Sequence, residues 1–167
     1  YVQILYRYGL RFTSDPEIIK DCIQEVFTSL YKNRNSLITP DNIKVYLFVS
    51  VKNCLIRTLY KESFYDRELP ENIQFSLEST VEEDFINNEQ YANQQKMINE
   101  ILALLTPRQK EIIYYRFIQE LSMDEICILM NLNYQSAQNL IQRSLKKVRQ
   151  NYDSIEVFLL ILAISLK

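Results

Sequence analysis

The chain has 167 residues, with 19 Lys and Arg against 21 Asp and Glu, no histidine and one glycine, Gly9. That length makes one ordinary domain or two small ones. Without histidine there is no His-based triad, no imidazole general base and no His-containing zinc site. With one glycine there is no phosphate-cradling loop, which needs several residues free of a Cβ. No cofactor, no metal and no enzymatic activity are expected. Cys22, Cys54 and Cys127 are odd in number and widely spaced, so they are expected as buried thiols of a reducing, cytoplasmic compartment. No signal peptide is legible. The chain opens at Tyr1 rather than Met, so a natural N-terminus further upstream is expected.

The charge is unevenly spread. Residues 1–60 have a net charge of +3, residues 61–95 of −7 and residues 96–167 of +2. Two mildly basic blocks flank an acidic middle, which bears on partners rather than on fold.

In chain order, Asp15-Pro16-Glu17 supplies an N-cap, a proline at N1 and an acid in the first helical turn. Ile18, Ile19, Cys22, Ile23, Val26, Phe27, Leu30 and Tyr31 then fall on one stripe of an amphipathic helix. Asp21, Gln24, Glu25 and Thr28 lie opposite. Thr39-Pro40-Asp41 predicts the start of a second helix over about 41–61. It is apolar over much of its circumference, so it belongs at the centre of a bundle. Its later turns expose Lys52, Asn53, Arg57 and Lys61. Residues 61–94 contain Pro70 and many Asn, Ser and Glu, lose helical periodicity and read as a linker.

Thr106-Pro107-Arg108-Gln109 is a capping box with proline at N1 and opens a helix through about Ile118. Ser122-Met123-Asp124-Glu125 is a second capping box, opening a short helix to about Met130. Asn131-Leu132-Asn133 reads as a turn, and Asn133 caps a helix over about 134–150. A short helix, a tight turn and a second helix make a helix-turn-helix. In that second helix Ala137, Leu140, Ile141, Ser144, Leu145 and Val148 form the expected buried stripe. From Ile126 to Tyr152 there is no acid, while Arg143, Lys146, Lys147 and Arg149 are basic. Amides can pair with base edges and cations with phosphates, so the exposed face suits DNA. An ordinary solvated helix is the competing reading, but such helices usually mix Glu with Lys.

LTPRQKEIIYYRFIQELSMDEICILMNLNYQSAQNLIQRSLKKVR (105–149) resembles region 4 of bacterial RNA polymerase sigma factors of the extracytoplasmic-function (ECF) group. DPEIIKDCIQEVFTSLYKNR (15–34) and IKVYLFVSVKNCLIRTLYK (43–61) resemble region 2 of the same group. The form YQSAQNLIQRSLKK is similar to factors from the Bacteroidetes. The resemblance implies an all-α fold of two small helical domains, a region 2 bundle and a region 4 helix-turn-helix, joined by an acidic linker. The boundaries it suggests are 1–61 for region 2, 62–95 for the linker, 96–152 for region 4 and 153–167 for an apolar tail. It also implies a non-enzymatic subunit that carries core RNA polymerase to promoter DNA.

In that family, the helix matching 15–34 docks on the polymerase clamp, which points to Asp21, Gln24, Glu25 and Thr28; Phe27, at their margin, is expected in the core. The minus-10 element is read at the end of the region 2 helix, where Lys52, Asn53, Arg57 and Lys61 fall. Tyr60, Phe64 and Tyr65 are possible base-stacking groups there, or packing groups for the linker. The minus-35 element is read by the second helix of region 4, through Gln135, Gln138, Asn139, Gln142, Arg143 and Lys146. Many relatives place Arg where this chain has Gln138. The family also implies an anti-sigma factor as a further partner.

Four cations meeting four phosphates give a salt slope of about −3.6. One amide–adenine pair discriminates by about 1–3 kcal/mol. Neither suffices for tight autonomous binding, so weak binding by the free chain and specific binding by its complex with polymerase are expected. The acidic stretch around Glu82, Glu83 and Asp84 is a candidate intramolecular mask for the basic faces. The apolar run 157–166 is ten residues long. A bilayer span needs about 17–25, so no membrane insertion is expected. A stand-alone helix-turn-helix regulator and an all-helical protein-binding adaptor are the alternative readings; neither uses both blocks.

Overall fold

The computed structural model describes residues 1–35, 42–65, 75–77, 96 and 99–150, with the backbone alone at 62–65. Thr39-Pro40-Asp41, Pro70, the Glu82–Asp84 stretch, the 157–166 run and the side chains of Phe64 and Tyr65 lie outside the described residues. Every regular element among the described residues is helical. The chain divides into two compact units, Tyr1–Gln74 and Phe75–Lys167.

The first unit contains α1 (Val2–Gly9), α2 (Pro16–Asn33) and α3 (Ile43–Tyr65). The start of α2 follows from its cap. The Asp15 carboxylate accepts from Glu17 N at 2.8 Å and Ile18 N at 3.4 Å, and Pro16 loses nothing at N1, where an N–H would have no helical partner. At the start of α3 the described residues supply a cap in Asn42. Asn42 Oδ1 accepts from Lys44 N at 2.9 Å and Val45 N at 3.3 Å, so Asn42 takes the capping role.

Ile19, Cys22, Ile23 and Val26 of α2 are buried against Val45, Phe48, Val51, Cys54 and Leu55 of α3 and Leu5 and Tyr8 of α1. Tyr8 stacks on Phe48 with ring centroids 4.5 Å apart and planes 8° apart. Such a pair contributes about 0.5–1.5 kcal/mol beyond its area burial. Gly9 marks a close approach of α1 to α2: a Cβ there would lie 2.5 Å from Ile19 Cγ2. The single glycine of the chain is thus a packing residue.

The second unit contains a helical stretch at 99–103, α4 (Pro107–Ile113), α5 (Met123–Met130) and α6 (Tyr134–Arg149). Both capping boxes form. Thr106 and Gln109 exchange bonds of 3.3 and 3.0 Å, and Ser122 and Glu125 bonds of 3.3 and 2.7 Å. The helix opened by Thr106 is not uniform. Tyr114–Ile118 is a π-helical turn, in which Gln119 N donates to Tyr114 O at 3.0 Å. Glu120 follows with φ 54°.

Ile101, Leu102, Leu105, Ile112, Tyr115, Ile126, Leu129, Ala137 and Val148 form the core of this unit. Phe75 and Leu77, from the stretch read as linker, are buried with them. The Phe75 ring sits 5.3 Å from Tyr114 and 6.2 Å from Tyr115. The buried Glu111 carboxylate accepts from the Tyr115 hydroxyl at 2.9 Å, which offsets part of its desolvation.

Candidate nucleic-acid interface

The helix-turn-helix is built by local chemistry. α5 ends on Asn131, which adopts the left-handed conformation (φ 50°, ψ 55°) that Asn tolerates better than most residues. Leu132 N then donates to Cys127 O at 3.0 Å, and the Arg108 guanidinium donates to Met130 O at 3.4 Å. The Cys127 and Met130 carbonyls at the end of α5 are thereby satisfied. Two residues later Asn133 Oδ1 accepts from Ser136 N at 2.8 Å and starts α6. Ala137, Ser144 and Val148 hold α6 in place from beneath; Leu140, Ile141 and Leu145 are half-buried, at the edges of the expected stripe. Ser144 Oγ donates back to Leu140 O at 2.7 Å, so a hydroxyl is buried without an unmet bond.

The packing leaves Gln135, Gln138, Gln142, Arg143 and Lys146 exposed and Asn139 half-buried. Gln135 Nε2 donates to Asn139 Oδ1 at 3.1 Å. Gln142 and Lys146 border an open depression with Leu145, Arg149 and Gln150. Tyr134, at the first position of α6, is 54% exposed, and Ile128 on α5 is 64% exposed. Sequence reasoning named neither. An aromatic placed just after an N-cap, beside the amides, was the available signal for Tyr134.

In the first unit, Asp21, Gln24, Glu25 and Thr28 are all exposed and line one open depression with Ser29, Lys32 and Asn33. Phe27 does not take the expected core position. It is 37% exposed, and Tyr31 on the same expected stripe is 68% exposed under the Arg34 guanidinium, 4.3 Å from its ring. The buried arc of α2 is narrower than the apolar one, because the α1 and α3 contacts cover only Ile19, Cys22, Ile23 and Val26 fully.

On α3, Asn53, Arg57 and Lys61 are exposed on successive turns, and Lys52 is half-buried. Arg57 leans toward α2, where its guanidinium pairs with the Glu25 carboxylate. Cys54 Sγ donates to the other Glu25 oxygen at 3.4 Å and receives an Arg57 N–H at 3.6 Å. Burial, with the neighbouring Cys22 and Glu25, pushes the Cys54 thiol up to about 12. Cys127 is half-buried rather than buried as expected, and partial burial and then Asp124 raise its thiol. Such thiols stay protonated and are poor nucleophiles. Among the described residues no group of His, Cys, Asp and Glu is arranged to hold a metal ion. No helix among them is long and apolar enough to cross a membrane.

The sigma-70 region 2 family profile matches residues 1–64, and the sigma-70 region 4 profile matches residues 95–148. Among solved structures, the chain is similar in fold to the sigma factor RpoE from Bartonella quintana, crystallised in complex with the anti-sigma factor NepR. The identity is 13%, the TM-score 0.61, and 89% of each chain is covered. No curated protein matches the sequence. Two helical units, one carrying a helix-turn-helix with an acid-free amide and cation face, define a DNA-binding transcription protein. With region 2 and region 4 both matched in that order, the chain belongs to the sigma-70 family of transcription initiation factors. It directs core RNA polymerase to promoters and initiates transcription.

Proposed function

We propose that the work is divided among three surfaces: α2 docks on the clamp of core polymerase through Asp21, Gln24, Glu25 and Thr28; α3 reads the minus-10 element with Lys52, Asn53, Arg57 and Lys61; and α6 reads the minus-35 element with Gln135, Gln138, Asn139, Gln142, Arg143 and Lys146. The observation that carries this reading is α6 itself. A capped helix after a tight turn presents amides and cations outward with no acid from Ile126 to Tyr152. That matches how a recognition helix meets the major groove. Clamp docking draws support from the acidic and amide depression on α2, which suits a basic partner surface.

The factor acts in the cytoplasm, without a catalytic step of its own, and is held in check by an anti-sigma factor, as RpoE of Bartonella quintana is captured with NepR. The string YQSAQNLIQRSLKK supports an origin among the Bacteroidetes. A stand-alone regulator leaves the region 2 unit without a task and is disfavoured by the profile match over 1–64.

Run-off transcription with core polymerase tests the assignment. Wild-type chain is expected to give promoter-dependent transcripts. Arg143→Ala and Lys146→Ala are each expected to lower the salt slope of minus-35 binding by about 0.9. Unchanged promoter binding by the Arg143→Ala, Lys146→Ala double variant removes α6 from the minus-35 role.

A further inference from the structure

The bond between Gln135 and Asn139 gives the amides of α6 unequal roles. The two residues are four apart, so they sit one above the other on the same helix face. A solitary surface amide turns easily about its last torsion and offers either its oxygen or its N–H₂ to a base. Gln138 and Gln142 are of that kind, with no side-chain bond shown among the described residues. Gln135 and Asn139 differ: Gln135 Nε2 donates to Asn139 Oδ1 at 3.1 Å, and Asn139 is half-buried. The oxygen of Asn139 is engaged, and its Nδ2 keeps two free donors. Gln135 has one Nε2 hydrogen engaged, and its Oε1, on an exposed side chain, keeps its capacity to accept.

We propose that Gln135 and Asn139 read the minus-35 element as one unit, with Gln135 acting as the positioning residue that makes Asn139 a donor. Asn139 then selects a base presenting acceptors in the major groove, a guanine N7 and O6 edge, an adenine N7 or a thymine O4. Gln135 selects a neighbouring base presenting a donor, adenine N6 or cytosine N4. The inference rests on the assignment of α6 to the minus-35 element and deepens it. Base preference at these two positions is joint, whereas the preference opposite Gln138 is its own.

The test is selection of promoter fragments randomised across the minus-35 element, using holoenzyme assembled from core polymerase and the full chain. The variants are Gln135→Met, which keeps length but cannot donate, Asn139→Ala, their combination, and Gln138→Ala. All are at exposed or half-buried positions, and melting temperatures check folding. Gln135→Met is expected to relax discrimination at two positions, including the one relaxed by Asn139→Ala, by about threefold or more. The double variant is expected to fall well short of the product of the single effects. Gln138→Ala is expected to relax one position only. If Gln135→Met alters a single position and the double variant is multiplicative, the coupling is overturned while α6 keeps its role. If none of the variants changes any minus-35 preference, the assignment of α6 falls and the coupling with it.

Discussion

The Arg57 guanidinium on α3 pairs with the Glu25 carboxylate on α2, 32 residues earlier in the chain, and that carboxylate also accepts a bond from the Cys54 thiol. One residue of the proposed polymerase face is therefore in contact with one residue of the proposed minus-10 face. The pair raises the Arg57 pKa through the Glu25 charge, and both side chains remain largely exposed. An exposed pair is weak, because water and salt compete with it.

Glu25→Gln is therefore expected to release Arg57 and to raise modestly the affinity of the free chain for a single-stranded minus-10 oligonucleotide. The gain is expected to shrink as salt is raised. Arg57→Ala is expected to lower the salt slope by about 0.7. Fluorescence anisotropy over a salt series measures both. Equal low-salt affinity of Glu25→Gln and wild type rules out competition between Glu25 and DNA for Arg57.

Gly9→Ala is expected to destabilise the first unit by about 1–3 kcal/mol, since the added methyl meets Ile19 at 2.5 Å. Ile19→Ala in the same chain removes that obstacle, so the two losses are expected to be less than additive. Urea unfolding of both single variants and the double variant checks it; strict additivity contradicts a clash between these two residues.

Asn131 sits at φ 50° in the helix-turn-helix turn. Asn131→Ala is expected to cost about 1 kcal/mol and Asn131→Gly close to nothing, because Ala keeps the Cβ that the left-handed region penalises without the short polar side chain that lets Asn tolerate it, whereas Gly has no Cβ there. Thermal melts of the two variants distinguish this from loss of the Asn side chain, which would make them equally unstable.

Cys54 carries an alkaline pH dependence. Its folded pKa of about 12 lies above the ordinary thiol value near 8.5, so the folded state holds the proton more tightly. That contribution is fully present below about pH 8.5 and is lost as pH rises toward 12, at most about 1.4 kcal/mol per pH unit. Cys54→Ala is expected to lose stability less steeply than wild type between pH 8.5 and 10.5, whatever its stability at pH 7. Parallel stability–pH curves from chemical denaturation contradict this.

Much of the architecture is readable locally. The Asp15, Thr106, Ser122 and Asn133 caps join groups no more than three residues apart, so residue type and spacing suffice to place them. The helix-turn-helix, the acid-free face of α6 and the polar face of α2 follow from the same short-range rules and from the 3.6-residue period.

Which part of an apolar stripe is covered depends on where neighbouring helices end and cross. Ile19, Cys22, Ile23 and Val26 are therefore buried, while Phe27 and Tyr31 stay exposed. The π turn at Tyr114–Ile118 adds one residue to a turn, and no residue of YYRFI announces it. Phe75 and Leu77 join a core that lies dozens of residues away in the chain, because burial of their apolar surface is favourable and non-directional. The Glu25–Arg57 contact likewise needs α2 and α3 packed at one rotation about their axes. Amino-acid order by itself determined most of the helices, the Asp15, Thr106, Ser122 and Asn133 caps and the chemistry each face offers, since those arise within a few bonds of the residues concerned. Only the tertiary structure decided which side chains meet across helices, since packing sums weak contacts over residues far apart in the chain.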